Sequence, residues 1–193
     1  MLNGAEIARG VKGALGFLQR DPTAPLAFDN TMEACLRSFR VMALVAPIYA
    51  LYRAIYYAQA TVTADETEIV LAESLRYVVD WLLFPVIFYE VARRRGWLDR
   101  FPRYIAALNW INLPAIGIAV VGLVVESLIP PASVVIELAM EALFFYWFLM
   151  TTRMVLGLNW LIAALLLIIN WVPSLFLSLL VARFLGVVSV TGG

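Results

Sequence analysis

Residues 158–183 read LNWLIAALLLIINWVPSLFLSLLVAR, and no residue from Leu158 to Ala182 carries a charge. About 20 consecutive apolar residues in a helix cross the hydrocarbon core of a bilayer, so this stretch is long enough to span a membrane once. Working outward from it, the same length test marks further spans at about 36–58, 73–93, 102–125 and 133–152. The expectation is an all-α fold: a polytopic transmembrane helical bundle of about five spans, preceded by an N-terminal amphipathic helix. Residues 1–28 then form an interfacial segment and 29–193 the transmembrane domain.

Composition agrees with this reading. Of 193 residues, 63% are hydrophobic and 15% charged, against roughly 45–50% and about 25% in soluble domains. The apolar surplus must face lipid, and little polar sequence is left for a separate soluble domain. Lys plus Arg and Asp plus Glu both number 14, and the basic residues are scattered among apolar runs, so nucleic acid is not an expected partner. With no His the commonest general base and metal or haem ligand is missing. The single cysteine, Cys35, has no disulfide partner and reads as a packing residue. No nucleophile elbow, phosphate-cradling glycine loop or metal-ligand cluster is visible, so no cofactor, no metal site and no catalytic residue is expected.

In the N-terminal segment Ile7, Val11, Leu15 and Leu18 recur at helical spacing opposite Arg9, Lys12 and Arg20, and Asn3 with Glu6 has capping-box spacing. Such a helix suits the anionic cytoplasmic interface, or alternatively packs beneath the bundle. Asp21-Pro22 and Pro25 end it, and Asn30 with Glu33 repeats the capping spacing before the first span.

Arginine placement orients the spans, because basic loops stay inside. Arg93, Arg94, Arg95, Arg100 and Arg103 crowd the connection between spans two and three, Arg37 and Arg40 open span one, and Arg153 marks the turn between spans four and five. The connection carrying Asp65, Glu66, Glu68 and Glu73, and that from Glu126 to Ser133, contain no basic residue and face outward. The N-terminus is therefore expected inside and the C-terminus outside, in the cell inner membrane, with Arg183 alone dissenting. Pro47, Pro85, Pro114 and Pro173 fall inside spans, where kinks are expected. Two Phe-Tyr, Arg, Gly, Asn-Trp and Pro series, from Phe88 to Pro114 and from Phe145 to Pro173, leave an internal duplication open.

Ionisable residues within spans are costly and mark sites by default. Arg53, Arg76, Asp80, Glu137 and Glu141 form the candidate polar cluster, all in the outer half on this topology. Arg76 with Asp80, and Glu137 with Glu141, are each four apart on one helical face. Two readings follow. Arg53 and Arg76 neutralise the three acids in a structural network, or the acids line a pocket open to the outer side that takes a cation or a lipid headgroup. Asn109, Asn112, Asn159 and Asn170, with Trp110, Trp160 and Trp171, read as interhelical hydrogen-bonders and interface anchors.

Residues 28–52, FDNTMEACLRSFRVMALVAPIYALY, and 88–110, FYEVARRRGWLDRFPRYIAALNW, resemble an uncharacterised family of small polytopic membrane proteins from alphaproteobacteria. That family is distantly similar to the Yip-type five-span superfamily, whose eukaryotic members are linked to membrane trafficking and small GTPases. The resemblance implies a five-span fold and transfers no site residue. The expected function is that of a non-enzymatic inner-membrane scaffold or binding partner, with a small transporter or channel-like protein using the outer-half cluster as the alternative. The expected partners are the lipid bilayer and another membrane protein or a lipid headgroup, with no oligomeric state fixed. A water-accessible cavity reaching Asp80, Glu137 and Glu141 separates the two functions, since a dry, fully paired cluster favours the scaffold.

Overall fold

The computed structural model describes residues 2–187, and every regular element among them is a helix. In chain order these are α1 (Gly4–Leu18), a 3-10 turn (Ala24–Ala27), α2 (Met32–Ser38), α3 (Val41–Ala58), α4 (Glu66–Arg95) and α5 (Phe101–Leu128). A second 3-10 turn (Pro130–Ala132), α6 (Ser133–Leu156) and α7 (Trp160–Phe184) follow. Four stretches are long and apolar enough to cross a membrane: Met32–Ala58, which joins α2 and α3, then Phe101–Leu128, Pro130–Leu156 and Trp160–Phe184. On α7, Leu161, Leu165, Ile168, Val172, Phe176 and Leu179 are exposed, an apolar surface that fits lipid. The protein is therefore a multi-pass helical membrane protein. The chain ends, on which the expected terminal orientation bears, lie outside the described residues.

Local chemistry fixes the helix limits. Asp65 and Glu68 form a reciprocal capping box at the start of α4, and the Asn159 side chain accepts from the Ile162 amide to start α7. Helices α4 and α6 stop at Gly96 and Gly157, whose φ angles of 71° and 66° lie in the left-handed region that glycine enters without strain. One expectation shifts by a residue. Thr31, not Asn30, caps α2, because Asn30 instead donates to the Asp99 carbonyl and accepts from the Arg103 amide. It ties the N-terminal segment to the α4–α5 turn.

Five long helices form a ring. Helix α3 packs on α5, α5 on α6, α6 on α7, and α7 on α4. At the Arg-rich end the ring is filled by aromatic side chains: Phe88 stacks on Phe101 at 5.8 Å and meets the edge of Tyr104 at 4.8 Å, while Phe84 meets Phe148 at 5.6 Å. The buried Tyr104 hydroxyl shares a 2.8 Å hydrogen bond with Thr152. Cys35 is buried against this cluster, as a packing residue should be.

Helix α1 docks on α5 and α6, and its most buried positions are mainly small residues beside the apolar stripe, with Ile7 and Leu18 packed at the edge of the contact. Leu15 is exposed and Ile7, Val11 and Leu18 are half-buried, whereas Gly10, Gly13, Ala14 and Phe17 are buried. Small residues let two helices approach closely: Gly10 lies against the Trp110 indole, and Trp147 Nε1 donates to the Ala14 carbonyl at 2.8 Å. Gly10→Ala tests this contact. Alanine gains about 0.5–1 kcal/mol of helix propensity, but its Cβ would run into three indole atoms, an overpacking cost of about 1–3 kcal/mol. The melting temperature is expected to fall, and a rise would show that α1 is not seated on Trp110.

Candidate functional site

The sequence-marked ionisable residues separate into two groups. Arg53 on α3 and Arg76 on α4 do not pair with Asp80, Glu137 or Glu141, as the structural network requires. Both converge on Glu73, which is 6% exposed. Its carboxylate accepts from Arg53 Nη2 at 2.7 Å, Arg76 Nε at 3.1 Å, the Tyr57 hydroxyl at 2.6 Å and the Tyr49 hydroxyl at 2.6 Å. Arg76 Nη2 also donates to the Tyr49 oxygen at 2.7 Å, and the Arg53 guanidinium stacks over Tyr56 at 4.5 Å. The reason is reach. Helices α3 and α4 have few backbone contacts, so only long side chains close the ring between them, and Glu73 is the acid on α4 that both arginines meet. Grouped by sequence with the loop acids Asp65, Glu66 and Glu68, it is instead the centre of a buried hub. Its spacing of three from Arg76 and seven from Asp80, one shared helical face, was the available signal.

Asp80 accepts from the Ser174 hydroxyl of α7 at 2.9 Å. The two arginines thus balance Glu73 and Asp80 on the α3–α4 side. Glu126, Glu137 and Glu141 have no such compensation, since none of them joins an ion pair or side-chain hydrogen bond among the described residues.

Inside the ring is a cavity of about 960 Å³ to which all five helices contribute. Asp80, Glu126, Glu137 and Glu141 all line it, and among the described residues its lining contains no Lys or Arg. Position along the helices gives it two ends. Glu126, Glu137, Tyr56 and Gln59 lie where α5, α6 and α3 approach the end away from the arginines, whereas Ile105, Trp147 and Phe148 lie toward the aromatic filling. The cavity is a cup closed at the Arg-rich end. Asn109, Asn112 and Asn170 also line it, and of the four amides expected to glue helices only Asn109 makes a side-chain hydrogen bond to another helix among the described residues, donating to Ser38 on α2 at 2.9 Å. A second cavity of about 540 Å³ between α1 and α2 holds two ion pairs, Arg37 on Glu6 at 2.8 Å and Arg9 on Asp29 at 3.4 Å, and is also lined by Glu33.

No protein-family model, no curated protein and no solved structure matches this chain.

Proposed function

We propose that the chain is a five-span, non-enzymatic protein of the cell inner membrane that binds a positively charged ligand in the outer half of the bilayer. The observation that carries this reading is the cavity reaching Asp80, Glu126, Glu137 and Glu141 with no basic residue in its wall. The scaffold alternative draws on the apolar outer surface and asks for a dry, fully paired cluster, and three of these four carboxylates are unpaired.

Helix α4 is the fifth span in this reading. It is 30 residues long, ample for a bilayer, and its central charges Glu73, Arg76 and Asp80 turn into the hub and cavity. Its outer face carries Leu71, Leu75, Val78, Leu82, Val86 and Tyr89, all exposed, which suits lipid. The arginine-bearing turns are cytoplasmic, and α1, whose Arg9 and Lys12 are exposed near that end, contributes an interfacial basic face. The five-span count is what this reading shares with Yip-type proteins.

Thiol labelling tests orientation and cavity together. In a Cys35→Ala background, Glu66→Cys and the cavity-lining Ala119→Cys are expected to react with a membrane-impermeant thiol reagent in intact cells, and Arg94→Cys to be protected. Reaction at Arg94→Cys with protection at Glu66→Cys reverses the orientation. Labelling at Glu66→Cys without labelling at Ala119→Cys closes the cavity and returns the scaffold reading.

A further inference from the structure

The ionic balance of the ring, the aromatic wall of the cup and its dimensions together narrow the ligand. We infer that the cavity takes an amphipathic organic cation, its charge held by Glu126, Glu137 and Glu141 and its apolar body lying along the aromatic wall below them. This rests on the binding-cavity reading and goes further by naming the ligand class.

The charge requirement comes first. On the α3–α4 side Arg53 and Arg76 are matched by Glu73 and Asp80, so the carboxylates of α5 and α6 are the ones in the cup that lack a counter-charge. Carboxylates that line an apolar cavity without a partner attract a cation. A metal ion fits poorly: hard cations need several oxygen ligands converging on one point, and among the described residues no group of three Asp, Glu or Cys side chains is placed to hold one. A phospholipid's ammonium brings its phosphate with it. Phosphate is held by arginine or lysine, and the wall has neither.

What the wall does contain is aromatic surface. Tyr49, Tyr52, Tyr77, Trp81, Phe144 and Trp171 face the cavity from α3, α4, α6 and α7. Such rings bind apolar bodies by area and cations through their faces. From Glu137 down to Trp147 along α6 is about 15 Å at 1.5 Å per residue, and about 960 Å³ lies at the large end of the roughly 300–1,000 Å³ range of small-molecule sites. A hydrated inorganic ion would leave most of that apolar surface in contact with water. A cation with a bulky hydrophobic body covers it.

Tetraphenylphosphonium and tetraphenylborate, nearly identical in shape and opposite in charge, provide the test. Each is titrated calorimetrically into the full chain in nanodiscs of uncharged lipid, with empty nanodiscs subtracted. The phosphonium is expected to saturate one site, the borate to show no saturable binding, and Glu137→Gln/Glu141→Gln to weaken the phosphonium roughly tenfold or more, as expected for the loss of two charge contacts. Should the double variant lose its folded melting transition, Glu126→Gln provides the same comparison. Equal binding of both ions, unchanged affinity in a folded Gln variant, or displacement of the phosphonium by equimolar calcium or by dihexanoyl phosphatidylethanolamine overturns the inference. Absence of phosphonium binding while Ala119→Cys still labels from outside overturns the ligand class and leaves the binding-cavity reading standing. Absence of both overturns the two together.

Discussion

Glu73→Ala is expected to be the most damaging single change in the protein, lowering stability by about 3–5 kcal/mol or more, because it leaves buried guanidinium groups without a counter-charge. Two arginines, not one, lose their partner: Arg53 and Arg76 have side chains only 16% and 11% exposed, and neither can swing to water without opening the ring. Tyr49 and Tyr57 lose their acceptor as well. Thermal unfolding in detergent measures the effect. Glu73→Gln keeps the acceptor oxygen and drops only the charge, so it should fall between wild type and alanine. A double-mutant cycle then locates the pairing. Coupling between Glu73 and Arg76 is expected at about 1–3 kcal/mol, within the range for contacting residues, and should exceed that between Arg76 and Asp80, which share no hydrogen bond. A cycle with the reverse order would remove Glu73 from the centre of the hub.

Trp147→Ala is expected to cost about 3–5 kcal/mol, the usual range for emptying a buried aromatic position. Trp147 is fully buried, and its indole joins α6 to α1 through the Ala14 carbonyl. The cost should therefore appear at a distance from the substitution. With the indole gone, α1 loses both a hydrogen bond and part of its seat, so trypsin should cut more rapidly after Arg9 and Lys12. Trp147→Phe retains most of the volume and removes mainly the hydrogen bond, a loss of about 1 kcal/mol, with proteolysis of α1 little changed. If the alanine variant melts like wild type, Trp147 is not a packing centre.

The long helices were legible because span length is a one-dimensional property: the run from Leu158 to Ala182 declares itself without reference to any other part of the chain. The glycine stops and the Asn159 cap are equally local. What sequence left obscure was pairing across helices. Glu73 stands nearest in sequence to the acids of a turn, and only the distance between α3 and α4 makes it the residue that both arginines reach. The same limit hid how α1 is seated. Large residues mark an apolar stripe, but Trp110 comes from a hundred residues further along, and a flat indole selects Gly10 opposite it. Asp80, Glu137 and Glu141 line one cavity, and their depth along each helix follows from span order. That Glu137 and Glu141 lack basic partners did not follow from it, nor did Glu126, which reads as a loop acid at the end of α5.

The aromatic filling at the Arg-rich end has an electrical consequence. Moving one elementary charge through the full membrane potential is worth about 2.3 kcal/mol per 100 mV, but a charge feels only the part of the field it crosses. On the proposed orientation, outer solution entering the cup would carry the outer potential down to its floor, so that the voltage drop would concentrate across Phe84, Phe88, Tyr104 and Phe148. A cation settling among Glu126, Glu137 and Glu141 has by then crossed little of the field, and its affinity should be nearly independent of membrane voltage. The voltage-dependent step, in any cycle that carries the ligand onward, belongs to the opening of those rings.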